Sequence, residues 1–241
     1  MQDPLVFLPG MMCDARLFAP QVADLGRVTS VTIAPTTHGE RIEEIASNLL
    51  DQLPLKFALV GQSIGGVVAM ELLRRAPDRV TRMALINTSS LAETPQSAAE
   101  YEPFIIKLRA GSLEETVRAM MPSEHLAPGP DRAQIMAQLI EMARDIGAEA
   151  IVRQLRAMQR RRDYQSVLRR CKVPALVLCG KHDAMMPVKR HSFMAELIPN
   201  AQLHVFETAG HLPTLECPVE VSTVLMGWLM QPQNQPARVA D

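Results

Sequence analysis

Short apolar segments alternate with helical patterns along most of the chain. The apolar segments lie at residues 5–8, 28–34, 57–61, 83–87, 175–179 and 203–207. Most of them are almost continuously apolar, which is typical of parallel strands that are covered on both faces. Helical patterns occupy about residues 41–53, 65–76, 188–198 and 218–230. This alternation predicts an α/β fold with a mostly parallel, doubly wound sheet of about six strands.

The alternation stops between about residues 89 and 170. This part has no convincing strand and shows four or five helical patterns separated by prolines and a glycine. One long apolar-periodic stretch runs from Arg132 to about Arg161, and the strand pattern resumes after Val173. We therefore expect an all-helical insert within the α/β core. The polar, proline-containing residues 233–241 favour a disordered tail.

A serine lies between glycines where the third strand pattern gives way to a helical one. The sequence Gly61-Gln62-Ser63-Ile64-Gly65 fits the G-x-S-x-G pattern of a nucleophile elbow. At such a sharp turn, glycines relieve crowding and the side chain at the apex is exposed beside a helix N-terminus. The alternative is an ordinary glycine-rich turn, so the interpretation depends on partners elsewhere in the chain.

Two residues after later strands could activate this serine. A serine nucleophile needs a histidine base, which in turn needs an acid that orients it. Asp183 follows the strand pattern at 175–179, and His211 follows the one at 203–207. The order Ser63, Asp183, His211 is the order expected for this architecture. Asp163 and Glu207 are rival acids, but their predicted positions are less suitable.

At this point the sequence resembles the α/β-hydrolase superfamily, in the branch that has a serine nucleophile and a helical cap. The resemblance rests on four blocks: LPGMMCDARLF, GQSIGGVVAMELLRRAPDRV, VPALVLCGKHDAMMP and AGHLPTLECPVEVSTVLMGWL. It implies a core of residues 1–91 and 163–232 and a cap of residues 92–162. It also implies an oxyanion hole made by the backbone N–H groups of Met11 and Ile64. Pro9-Gly10 stands where the family usually has His-Gly. The oxyanion donor is a backbone N–H group, so its function can survive this change of side chain.

The predicted chemistry is hydrolysis of a carboxylic ester, or a related acyl compound, through an acyl-enzyme on Ser63. It needs no cofactor and no metal. The same three residues could instead cleave a carbon–carbon bond or open an enol-lactone. A non-catalytic ligand-binding protein of this fold is an alternative from another class, and so is a module whose cap binds a protein.

Several residues near the predicted site are candidates for the substrate pocket. They are Met12, Gln62, Met185, Met186 and Leu212. Methionines there could either fill gaps in the core or line an adaptable apolar pocket. The basic residues Arg160, Arg161 and Arg162 could form a solvated face, or one of them could reach the pocket and bind a substrate carboxylate.

The composition argues against several other classes of function. The chain has 241 residues, a net charge of −1 and 4% aromatic residues, so no strong field or stacking platform favours nucleic acid. No apolar run is long enough to cross a membrane, and the N-terminus does not resemble a signal peptide. The four cysteines lack metal-binding spacing. We expect a cytoplasmic enzyme whose partner is a small molecule; the oligomeric state is open.

Overall fold

A six-stranded parallel sheet forms the centre of the computed structural model, which describes residues 3–232. Its strands are β1 (Leu5–Leu8), β2 (Val31–Ile33), β3 (Phe57–Gln62), β4 (Val80–Ile86), β5 (Ala175–Gly180) and β6 (Ala201–Phe206). They are arranged in the order β2-β1-β3-β4-β5-β6, and every pair is parallel. The order reverses at β1 and β3, where a crevice opens beyond the carboxyl ends of the strands. The predicted α/β fold and doubly wound sheet are confirmed.

Helices cover both faces of the sheet. Those outside the insert are α1 (Ala19–Leu25), α2 (Ile42–Leu50), α3 (Ile64–Arg75), α10 (Val188–Leu197), α11 (Pro213–Glu216) and α12 (Pro218–Leu229). Phe7 and Ile86 pack in the core beside α1 and α12. Val6 and Leu85 pack in the core beside α2, α3 and α10. Alternate strand residues therefore enter two separate cores, which explains the continuously apolar runs.

All elements between β4 and β5 are helical. They are α4 (Pro95–Ala99), α5 (Glu102–Arg109), α6 (Leu113–Met120), a 3₁₀ turn (Ser123–His125), α7 (Arg132–Ile146), α8 (Ala148–Gln159) and α9 (Gln165–Arg169). Leu139 and Leu155 of this insert lie in the same apolar core as Phe7. The boundaries 92–162 for the cap stay a prediction.

The long apolar-periodic stretch from Arg132 forms two helices. Gly147 separates α7 from α8 with φ of +83°, a left-handed conformation that glycine adopts without strain. The apolar period continues across the break because α7 and α8 pack side by side and bury the same kind of face.

Two strands begin three residues away from their predicted starts. Val28 and Thr29 donate their N–H groups to Leu25 at the end of α1, so β2 begins only at Val31. β4 begins three residues before the predicted start, at Val80, and includes the buried Arg82, whose guanidinium donates to the carbonyl of Trp228. The predicted disordered tail, 233–241, lies outside the described residues. Among residues 3–232, no helix has the length and apolar character to span a membrane.

Candidate active site

Ser63 stands at the apex of a strained turn between β3 and α3. Its backbone has φ of +53° and ψ of −119°, which is unusual for a residue with a side chain. A Cβ on Gly61 would lie 2.3 Å from the carbonyl oxygen of Gly65, and one on Gly65 would lie 2.0 Å from that of Leu8. Only glycine fits at both positions. The turn places Ser63 on the wall of a cavity of about 310 Å³.

Asp183 and His211 are joined directly. Asp183 Oδ2 lies 2.7 Å from His211 Nδ1 and accepts a hydrogen bond from Asn87 at 2.6 Å. Its Oδ1 accepts the backbone N–H groups of Met185 and Met186, each at 2.9 Å. Burial alone raises the pKa of Asp183. The charge and hydrogen bond of His211 outweigh burial and, with the other donors, lower that pKa to about 2. Asp183 is therefore an ionised acceptor at neutral pH.

Nδ1 of His211 is hydrogen-bonded to Asp183, so the second ring nitrogen, Nε2, is the one left to act as a base. The residue is only 2% exposed and lines the same cavity as Ser63. The hydroxyl of Ser63 has no hydrogen-bond partner within residues 3–232. The structure thus joins two of the three predicted catalytic residues and places the third in the same cavity. The hydrogen bond between a catalytic serine and its histidine is commonly long or poorly aligned without substrate, and it tightens when substrate binds.

Glu216 holds the backbone on both sides of His211. Its carboxylate accepts the N–H of Gly210 at 2.9 Å and that of Leu212 at 2.8 Å. It also accepts the N–H of Ala127 in the insert, at 2.6 Å. Three donors on one carboxylate fix the histidine loop firmly. Glu216 is not among the residues predicted from the sequence, although an acid five positions after His211 was an available signal.

Two further contacts tie the histidine loop to its surroundings. The N–H of His211 donates to the carbonyl of His125 in the insert at 2.7 Å. The carbonyl of His211 accepts the side-chain amide of Gln62 at 3.0 Å, and Gln62 Oε1 accepts the hydroxyl of Thr214. Gln62, expected to be a pocket residue, therefore lines the cavity and also supports the base.

The N–H groups of Met11 and Ile64 are the predicted oxyanion donors. Neither has an acceptor among the described residues, and Met11 lines the cavity with Ser63. The next residue, Met12, has φ of +63° and donates its N–H to Gln154 of α8 at 3.1 Å. The position of the loop after β1 therefore depends on a side chain of the insert.

Gln154 extends this connection beneath the loop. Its amide nitrogen donates to the hydroxyl of Thr36 at 3.0 Å, and Thr36 donates to the carbonyl of Pro9 at 3.2 Å. Gln154 and Thr36 are both buried. The chain of hydrogen bonds thus reaches the loop at two points, Pro9 and Met12.

The cavity is lined mainly by methionines and other apolar groups. All five predicted pocket residues line it: Met12, Gln62, Met185, Met186 and Leu212. The insert contributes Tyr101, Phe104, Met120, Met121 and Met158. The charged residues on its wall are Glu93, Glu100, Arg161 and Arg190. One half of the cavity therefore comes from the ends of the strands and the other half from the insert.

The rival acids lie away from His211. Glu207 forms an exposed ion pair with Lys181, and Asp163 accepts hydrogen bonds from Gln165. Among the three candidate acids, only Asp183 contacts His211.

The three consecutive arginines have different environments. Arg160 and Arg162 are exposed and pair with Glu40 and Glu43. Arg161 turns inward, where its side chain is 3% exposed and pairs with Glu93 at 2.9 Å. Arg160 and Arg162 therefore form a solvated face, whereas Arg161 lines the cavity.

His191 is a second buried histidine near the site. Its Nε2 accepts the N–H of Thr88 at 3.2 Å, so Nδ1 carries the proton and donates to the carbonyl of Pro187 at 3.3 Å. Burial lowers the pKa of His191 to about 4. A neutral His191 thus connects the loops after β4 and β5.

Fold and site together are those of an α/β-hydrolase. The family described as alpha/beta hydrolase fold matches residues 32–218. The chain belongs to this family, and the predicted family and the prediction of a hydrolase are confirmed.

Curated and solved proteins resemble the chain over most of its length. A pimeloyl-[acyl-carrier protein] methyl ester esterase from Aromatoleum aromaticum is 28% identical, over 78% of this chain and 82% of that protein. A thermophilic esterase from Thermogutta terrifontis has a similar structure, with a TM-score of 0.85 and 24% identity over 94% of this chain and 89% of its own. An enol-lactonase from Burkholderia xenovorans LB400 has a TM-score of 0.83 and 22% identity, over 96% and 93% of the two chains. At these identities the two structures support the fold alone.

Proposed function

We propose that the protein hydrolyses a carboxylic ester of a small molecule through an acyl-enzyme on Ser63. The observation that carries the proposal is the 2.7 Å hydrogen bond between Asp183 and His211, on the wall of the cavity that Ser63 also lines. The esterase names of curated relatives support the same class of reaction.

The first half of the reaction acylates Ser63. The histidine takes the proton from the serine hydroxyl through Nε2 while Oγ attacks the ester carbonyl carbon. The resulting oxyanion accepts hydrogen bonds from the N–H groups of Met11 and Ile64. Asp183 keeps His211 in the required tautomer and stabilises the imidazolium. The proton then passes from His211 to the departing alcohol, and the carbon–oxygen bond breaks.

The second half releases the acid. Water replaces the alcohol, gives a proton to His211 Nε2 and attacks the acyl carbon. The second oxyanion uses the same two N–H groups. When it collapses, His211 returns the proton to Ser63 Oγ and the carboxylic acid leaves.

The size and lining of the cavity suit a small acyl group. Its volume, about 310 Å³, is at the lower end of the usual range for ligand pockets. Methionine side chains adapt to ligands of different shape. We expect short or medium acyl chains to be the better substrates.

The test is hydrolysis of p-nitrophenyl esters from acetate to decanoate by the wild type and by Ser63→Ala. Loss of the nucleophile should lower kcat by about 10⁴- to 10⁶-fold. Ser222→Ala is the control, because Ser222 is a buried serine of α12 that does not line the cavity. The chain-length optimum then gives the size of the acyl site.

A fluorophosphonate probe gives a second readout, independent of the chosen ester. The wild type should gain one phosphonyl group on the peptide that contains Ser63, and Ser63→Ala should gain none. If Ser63→Ala keeps wild-type ester hydrolysis, the acyl-enzyme proposal is wrong. If a folded wild type neither reacts with the probe nor cleaves any ester, a binding role replaces it.

A further inference from the structure

We propose, on the basis of the ester hydrolysis proposed above, that Arg161 selects substrates that carry a second oxygen acceptor remote from the scissile ester. The acceptor is a carbonyl or a carboxylate on the chain that occupies the cavity. Arg161 would then determine specificity without taking part in bond cleavage.

The first argument is the unused hydrogen-bonding capacity of Arg161. A guanidinium has five N–H donors. One nitrogen, Nη2, lies 2.9 Å from Glu93 Oε1, and Nη1 lies 3.9 Å from the sulfur of Met158, which is a weak acceptor. Nε is itself buried and has no acceptor among the described residues. Burying a cation is costly unless its donors are satisfied, and the protein's own oxygens satisfy only part of this one.

The second argument is that both carboxylate oxygens of Glu93 already accept hydrogen bonds. Its Oε1 also accepts the hydroxyl of Tyr101 at 3.1 Å, and its Oε2 accepts the hydroxyl of Ser97 at 2.5 Å. The hydrogen-bonding groups of the Arg161–Glu93 pair that lack a strong partner are therefore N–H donors of Arg161. A complementary ligand must bring an acceptor.

The third argument is location. Arg161 and Ser63 line the same cavity, and the insert also lines it with apolar groups that include Phe104, Met120 and Met121. In such surroundings one buried polar contact discriminates strongly between substrates that can and cannot use it. Glu93 offsets part of the charge of Arg161, so both a neutral carbonyl and a carboxylate are suitable acceptors.

The experiment compares three p-nitrophenyl esters with six-carbon acyl chains: hexanoate, 5-oxohexanoate and the adipate monoester. The first has no second acceptor, the second has a neutral carbonyl and the third has a carboxylate. We expect the wild type to prefer at least one oxygenated ester in kcat/KM. A larger preference for adipate would assign the site to carboxylates, and a larger one for 5-oxohexanoate to carbonyls.

The variant that removes the site is Glu93→Gln combined with Arg161→Met, because it leaves no unpaired buried charge. The preference over hexanoate should fall by about 10- to 100-fold, as expected for the loss of a hydrogen bond to a charged group. The control is Arg162→Met, which changes the exposed neighbour and should keep the preference. Arg161→Lys serves if the double variant does not fold, and it should lower the preference because it removes the planar donor set.

Binding to the Ser63→Ala variant separates this proposal from the proposed function. Monomethyl adipate or methyl 5-oxohexanoate should bind that variant more tightly than methyl hexanoate does, and the added double substitution should abolish the difference. This readout needs no turnover, so failure of ester hydrolysis would leave it informative. Equal affinity for all three ligands, or a preference that survives the double substitution, would overturn the role of Arg161.

Discussion

The two walls of the cavity are built in different ways. On the wall formed by the strand ends, Asp183 receives four hydrogen bonds and the loop around His211 is held by Glu216 and Gln62. Methionines line both walls, and the wall formed by the insert adds aromatic side chains and the buried Arg161–Glu93 pair. Groups held by many hydrogen bonds suit chemistry that needs one geometry, and a polar pair among apolar side chains suits recognition. We therefore expect substitutions on the first wall to slow all substrates and those on the second to change which substrates are preferred.

The largest effect is expected on the strand-end wall. Asp183→Asn should lower kcat by about 10⁴-fold for every ester, because the amide no longer holds His211 in the required tautomer. The measurement is kcat for short and long p-nitrophenyl esters, with Asp163→Asn as the control. A loss below about tenfold would mean that another acid orients His211.

A smaller effect is expected where the insert supports the strand-end wall. Gln154→Leu removes the acceptor for the Met12 N–H and should let the neighbouring N–H of Met11 move. Because a whole oxyanion donor is worth about 10²–10³ in kcat, its displacement should cost about 10- to 100-fold. The loss should appear in kcat for all esters, with KM nearly constant.

Two matched variants make this prediction specific to the oxyanion loop. Gln154→Glu keeps an acceptor for Met12 and should restore part of kcat. Gln159→Leu changes another glutamine of α8, whose contacts stay within the insert at Ala98, Glu102 and Arg156, and should have little effect on kcat. If Gln154→Leu instead changes the order of preference among esters, Gln154 belongs to the recognition wall.

The fold and the main site residues could be predicted from the sequence because they depend on local patterns. Apolar runs predicted all six strands, and the glycines around Ser63 indicated a turn that only glycine can make. Two of the supporting residues, Gln154 and Asn87, were missed because their partners are far away in sequence. Gln154 binds residue 12, and Asn87 binds Asp183, across separations of 142 and 96 positions.

Arg161 illustrates a different limit. It is flanked by two arginines that point to solvent, and three identical residues in a row give no indication of which one is buried. The direction each takes depends on where α8 ends and on how the insert packs against the strand ends. Gly147 shows the same limit, since the apolar period of α7 continues into α8 across the break.

The smallest effect expected concerns stability and arises at His191, which connects the loops after β4 and β5. Its pKa is about 4 in the folded state, against an ordinary value of 6.5 for histidine. Above pH 6.5 both states are neutral, so His191 adds no pH dependence. Between pH 6.5 and 4 the unfolded chain binds the proton more readily, so stability falls as the pH falls, by about 1.4 kcal/mol per pH unit at most. Asp183 contributes to the pH dependence of stability only at lower pH, because its pKa in the folded state is about 2.

The measurement is the melting temperature of the wild type and of His191→Gln between pH 7.5 and 4.5. The wild type should lose several degrees as the pH falls, since about 1 kcal/mol corresponds to roughly 2–4 °C at this chain length. In His191→Gln the amide oxygen can still accept the Thr88 N–H but cannot titrate, so its curve should be flatter. Burial also lowers the pKa of His125, which leaves some slope in the variant. Parallel curves would show that the acid sensitivity of the fold arises elsewhere than at His191.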